Sequence, residues 1–106
     1  MLQSERLIAL QKLLEKEPND SFLNYAHALE LQKLGNTVKA IEIIEAILKK
    51  DINYLGAYYQ LGQLYELSGE KEKARNTYLQ GTTIAQNQKQ TKALSELKQA
   101  IYLLDE

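Results

Sequence analysis

The sequence predicts an all-α protein built as an array of antiparallel helix pairs. Gly35 and Gly69 lie 34 residues apart, as do Ala40 and Ala74, and a fixed period of this size marks a chain of stacked supersecondary units. Apolar residues recur at helical spacing, and the alternating runs of a half-buried sheet are missing. One proline and five glycines are too few for a chain made of many tight turns.

Six helices follow in order. The first runs from about Ser4 to Lys16, with Leu7, Ile8, Leu10, Leu13 and Leu14 on one side. Pro18 stops it, because the ring cannot continue a helix and disfavours α geometry at Glu17. Asp20 or Ser21 can cap the second helix by accepting from its free N–H groups. That helix reaches about Leu34, and Gly35 supplies a left-handed C-terminal turn. Asn36 caps a third helix from about Thr37 to Lys50, with Val38, Ile41, Ile44, Ile47 and Leu48 at helical spacing and Glu45–Lys49 as a favourable i,i+4 pair. Asn53 is the expected cap of the fourth, about Leu55 to Ser68, which Gly69 ends. The fifth spans about Glu70 to Ala85. A polar break over Gln86–Gln90 precedes the sixth, about Thr91 to Leu104.

Composition bounds the rest. A chain of 106 residues allows one small domain with a real core. Thirteen basic and fourteen acidic side chains are interspersed, with neither a basic stripe for phosphates nor an acidic tail. Lys71, Lys73 and Arg75 alternate with Glu70 and Glu72, a charge-balanced helix start. Cysteine is absent, so thiol chemistry and disulfides are excluded. No secretory signal is read in the first residues, and no run approaches the roughly 18 apolar residues of a spanning helix. The expectation is a cytoplasmic protein that binds neither membrane nor nucleic acid.

Adding 34 aligns the two central units. Tyr25 meets Tyr59, Ala28 meets Gly62, Leu31 meets Tyr65, Ile44 meets Tyr78 and Ile47 meets Gly81. Small residues recur where paired helices must approach, and large ones where the gap must be filled. The second unit reads Tyr58-x2-Leu61-Gly62-x2-Tyr65, then Ala74-x3-Tyr78. It resembles the tetratricopeptide repeat, W-x2-L-G-x2-Y…A-x3-F…P, with Tyr58 for Trp and Tyr78 for Phe, and with Gln86 where the closing proline would stand. The first unit departs further, with Asn24 at the Trp position and His27 at the Leu position. The resemblance implies a right-handed superhelical array and one domain. Its parts are a partial repeat over 4–18, full repeats over 21–54 and 55–88, and a capping helix over 89–106. Tyr58, Tyr65 and Tyr78 fall on signature packing positions.

The same resemblance implies a function. Its first helices line a concave face, at the second, fifth, ninth, twelfth and thirteenth positions of each unit. Those positions are Phe22, Tyr25, Leu29, Gln32 and Lys33, then Gly56, Tyr59, Gln63, Glu66 and Leu67. Phe22, Tyr25, Leu29 and Gln32 also share one helix face by spacing. Tyr25 and Tyr59, with Phe22 beside them, would form an aromatic floor for a peptide; the alternative is that Tyr25 and Tyr59 pack on a neighbouring helix, the C-terminal one included. A subclass of the family grips a chaperone's terminal carboxylate with lysine, asparagine and arginine at the fifth, ninth and neighbouring positions. Tyr25, Tyr59, Leu29 and Gln63 stand there instead, and Lys33 is the one nearby cation.

Catalysis finds little footing. Ser4, Ser21, Ser68 and Ser95 lack a Ser-His-Asp context, Thr82-Thr83 lies mid-helix, and Glu42 with Glu45 reads as a solvated face. His27 alone cannot build a zinc site and reads as a packed or half-exposed residue. The sequence therefore points to a non-catalytic protein, with no cofactor or metal, that binds a peptide or protein partner. The alternative is a self-associating structural protein. Two full repeats are fewer than the roughly three usual for stability, and a face bearing Leu2, Ile8 or Tyr102 could be covered in a homodimer.

Overall fold

The computed structural model describes residues 2–106, with side chains from Glu5 onward. Six α-helices follow one another: α1 Leu2–Lys16, α2 Ser21–Lys33, α3 Thr37–Lys50, α4 Leu55–Leu67, α5 Lys71–Asn87 and α6 Thr91–Leu104. No strand occurs among the described residues. The helices fall into two compact units. One ends at Ile52 and holds α1 to α3; the other, Asn53–Glu106, holds α4 to α6.

Local chemistry sets the ends. In the first unit α1 stops two residues before Pro18. The Asp20 carboxylate accepts from the Leu23 N–H at 2.8 Å, and the Asn36 side chain accepts from the Lys39 N–H at 3.3 Å, which satisfies donors that the helix starts leave open. Three helices end on the same hydrogen-bonded turn. Asn36, Glu70 and Gln90 donate their N–H back to the carbonyls of Leu31, Tyr65 and Ala85, while Gly35, Gly69 and Lys89 donate to Gln32, Glu66 and Gln86. That double bond pattern requires left-handed backbone at the middle residue. Gly35 and Gly69 supply it at φ 87° and 76°, and Lys89 adopts it at φ 58° despite its side chain.

Asn53 does not cap α4. The N-cap is Tyr54, which makes no side-chain cap bond; the Asn53 carbonyl instead accepts from Gln88 Nε2 at 2.8 Å. The fifth helix also runs two residues past the expected Ala85, because the turn that ends it closes around Lys89.

In the first unit α2 packs between α1 and α3, and in the second α5 packs between α4 and α6. Ala28, Leu31, Ala40, Ile44 and Ile47 form the first core. Tyr58, Leu61, Leu64, Tyr65, Tyr78 and Leu97 dominate the second. Each unit balances its volumes differently. A Cβ on Gly62 would lie 2.1 Å from Tyr78 Cε1, so the ring rests directly on the α4 backbone. The first unit has the slimmer pair, Ala28 with Ile44, at the same positions. A Cβ on Gly81 would lie 2.8 Å from Tyr58 Cβ and 3.1 Å from Leu97 Cδ1. At those positions the first unit has Asn24 and Ile47, beside a hollow of about 340 Å³. Asn24 spends its polarity on the chain entering α2, donating to the carbonyls of Pro18 and Asp20 at 3.0 and 2.9 Å.

Candidate functional site

The second unit carries a groove between α4 and α6. On α4, Tyr59, Gln63 and Glu66 follow i, i+4, i+7 spacing and share one face. On α6, Glu96, Gln99, Ala100 and Leu103 do the same. These seven residues line a space of about 520 Å³.

Its α4 wall is held from beneath. Because Gly62 admits the Tyr78 ring, the phenol reaches the groove side of α4. There Tyr78 donates to Glu66 Oε2 at 2.5 Å and accepts from Gln63 Nε2 at 2.7 Å. The Tyr59 ring lies over it, centroids 6.1 Å apart and planes tilted by 44°, a favourable aromatic geometry. Burial, and then the hydrogen bond and negative charge of Glu66, push the Tyr78 phenol well above its ordinary ionisation range. Tyr78 therefore stays a donor and fixes Gln63 and Glu66, while Tyr59 remains 40% exposed. Among the described residues, Glu66 and Glu96 are the only charged ones lining the groove.

The other residues expected at a binding face divide. Leu67 ends α4 exposed and does not line the groove, and Gly56 is exposed at its start. In the first unit, Phe22, Leu29 and Lys33 turn toward α1, where they line a separate, mostly apolar groove of about 390 Å³. Tyr25 and Gln32 are half-buried on α2, line neither groove and take part in further side-chain interactions. Lys33 is held at 3.4 Å from the Glu30 carboxylate. The sequence points to the C-terminal helix only as a neighbour on which Tyr25 and Tyr59 could pack, not as a wall of a groove. The 34-residue register carries Glu66 onto Ala100, a signal that could have found it; Glu96, Gln99 and Leu103 flank Ala100 on the same face.

His27 is half-buried, and burial, then the charge of Lys39, lowers its pKa below 6.5. Two of the basic residues at the start of α5 are engaged locally. Lys73 pairs with Glu70 at 3.1 Å, and Arg75 with Glu72 and with Asp105 at the end of α6. Thr82 returns its hydroxyl to the Leu79 carbonyl at 2.6 Å. Among the described residues no group of three His, Cys, Asp or Glu could hold a metal ion, and no helix is long and apolar enough to cross a membrane.

A family model described as the tetratricopeptide repeat matches residues 31–101, more than half of the chain. The chain belongs to the tetratricopeptide repeat family. A tetratricopeptide repeat-containing protein of Methanocaldococcus jannaschii is 40% identical over 74 residues, 70% of this chain and 23% of the relative. The chain thus spans under a quarter of the curated relative it matches. The solution structure of a tetratricopeptide repeat domain protein from Salinibacter ruber is 38% identical, with a TM-score of 0.79 over 82% of this chain and 88% of that one. The TPR2B domain of yeast Sti1, solved as a pHsp70 complex, shares the fold at a TM-score of 0.89 and 20% identity, over 97% of this chain and 82% of that one. The tetratricopeptide repeat accounts for the six helices and for Tyr58, Tyr65 and Tyr78 in the core.

Proposed function

We propose that this tetratricopeptide repeat protein is a non-catalytic module that holds a peptide or protein partner in the α4–α6 groove. The observation that carries the reading is the Tyr78 hydroxyl, which ties Gln63 and Glu66 to one wall beneath the exposed Tyr59 ring. Side chains fixed in advance lose little freedom when a partner arrives. Tyrosine adds apolar area with a polar tip, which suits recognition of peptides. The yeast Sti1 domain in its pHsp70 complex supports the reading at the level of the fold.

The groove selects by charge. Its charged groups are both carboxylates, so a neutral or basic segment is favoured and an acidic tail repelled. The test is capture from lysate by wild type beside Tyr59→Ala/Glu66→Ala, with helicity checked by circular dichroism. A partner retained by wild type and lost by a variant of equal helicity supports the groove; equal capture by both contradicts it.

A second reading, self-association, draws on Ile8 and on Tyr102 and Leu103 of α6, which are exposed. The Leu2 side chain lies outside the described residues. A mass by light scattering that does not change with concentration would reject this reading.

A further inference from the structure

Two periods of 34 residues carry the α1–α2 pair onto α5–α6. In that register Leu10 corresponds to Tyr78, Leu13 to Gly81 and Leu29 to Leu97. In the second unit all three positions are sealed. Tyr78 is 0% and Leu97 2% exposed, and α4 lies over α5, with Gly62 on the Tyr78 ring and Tyr58 on Gly81. In the first unit the equivalent surface is open. Leu10, Leu13 and Leu29 line the apolar groove between α1 and α2, where Leu13 is 49% and Phe22 67% exposed. The fold thus shows in one unit what covers the face that the other leaves bare: a single helix.

A second, independent observation lies in the same groove. Glu30 lines it with a side chain only 8% exposed. One carboxylate oxygen, Oε1, faces Arg6 at 3.6 Å and Lys33 at 3.4 Å. The other, Oε2, is buried without a hydrogen-bond partner among the described residues. Buried acceptors are nearly always paired, because an unpaired one has lost its water and gained nothing.

We propose that the α1–α2 groove takes up an amphipathic helix from another polypeptide, seated on α1 as α4 is seated on α5. Its contact residues, spaced i and i+4 as Tyr58 and Gly62 are, would be apolar and lie on Leu10, Leu13 and Leu29. A hydrogen-bond donor on its flank would satisfy Glu30 Oε2. A second copy of this chain is a poorer source, because the faces that carry such a pattern are already used: Ala28, Tyr58 and Gly62 are buried. This site is separate from the α4–α6 groove, and neither reading depends on the other.

The test uses a fluorescein-labelled synthetic peptide of residues 53–70, the α4 helix itself, titrated with the whole protein and followed by anisotropy. Saturable binding is expected. Leu13→Asp should weaken it about tenfold or more, since a carboxylate replaces an apolar contact, and Phe22→Ser should also weaken it. Both positions are exposed enough for the variants to fold, which their circular dichroism would verify. Gln99→Ala, in the other groove, should leave binding unchanged. No saturable binding overturns the proposal. So does binding indifferent to Leu13→Asp, which would mean that the peptide displaces α4, and so does a mass of the protein alone that rises with concentration, which would mean that a second copy covers the face.

Discussion

Gly62 and Tyr78 are in direct stacking contact: the ring carbon Cε1 stands 2.1 Å from where a Cβ on Gly62 would be. Tyr78 is fully buried and cannot swing aside, so the missing side chain on α4 and the extra ring on α5 are one packing solution. The first unit reaches another at the same positions with Ala28 and Ile44.

Gly62→Ala should therefore destabilise the protein. Alanine favours a helix over glycine by up to ~1 kcal/mol, but overpacking a filled core costs about 1–3 kcal/mol, and the overlap here involves ring atoms with nowhere to go. Adding Tyr78→Ile recreates the first unit's pair. In urea unfolding, the double variant should be less destabilised than the sum of the two single variants. Additive losses would show that the two sites do not share a contact.

Tyr78→Phe removes the hydroxyl that links Gln63 and Glu66. The expected loss is on the order of 1 kcal/mol, since Glu66 is exposed and can turn to water. Ultraviolet titration should also lose one tyrosine step that lies above the ordinary range. The phenol ionises less readily folded than unfolded, so its contribution is intact below the unfolded pKa of about 10 and declines as pH rises above it. A titration curve that keeps its late step in Tyr78→Phe would contradict the assignment.

His27 gives the opposite slope. Its folded pKa lies below 6.5, so the unfolded chain binds the proton more readily. Its contribution is present above 6.5 and is lost as pH falls from there through the lower folded value. Denaturant midpoints of wild type should fall across that window by more than those of His27→Gln. Parallel slopes would show that His27 is not a source of the pH dependence.

Lys89→Gly should stabilise. Lys89 holds the left-handed turn position that Gly35 and Gly69 hold elsewhere, and a side chain there costs about 1–2 kcal/mol. Part of the gain is returned through the greater freedom of glycine in the unfolded chain. A net rise in melting temperature of a few degrees is expected; a fall would mean that the lysine side chain makes a compensating contact.

The fold was legible because its determinants repeat. Gly35 and Gly69 mark two turns 34 residues apart, and Tyr58, Tyr65 and Tyr78 occupy positions that must be filled whatever the partner. Features that depend on one local competition were not legible. Asn53 has the chemistry of a cap, yet its carbonyl serves Gln88 while α4 begins without a side-chain cap. The end of α5 was misplaced because a lysine took the glycine's position. The candidate site was legible on α4, where one helix face collects Tyr59, Gln63 and Glu66. Its α6 wall carries no signature residue: the sequence offers the C-terminal helix as a neighbour of the tyrosines, but the residues of the wall follow only from the register that carries Glu66 onto Ala100. Phe22 and Leu29 share a helix with Tyr25, but a face chosen by spacing alone does not say which neighbour it meets, and theirs is α1.

The most direct measurement of the central claim is site-specific photocross-linking in the source cell. A photoreactive phenylalanine analogue replaces Gln99, on the α6 wall of the groove, or Thr83, exposed on α5. The groove reading predicts a discrete adduct with another polypeptide from position 99, competed away by a peptide of the captured segment, and none from position 83. No adduct at 99, or the same adduct from both positions, would contradict it.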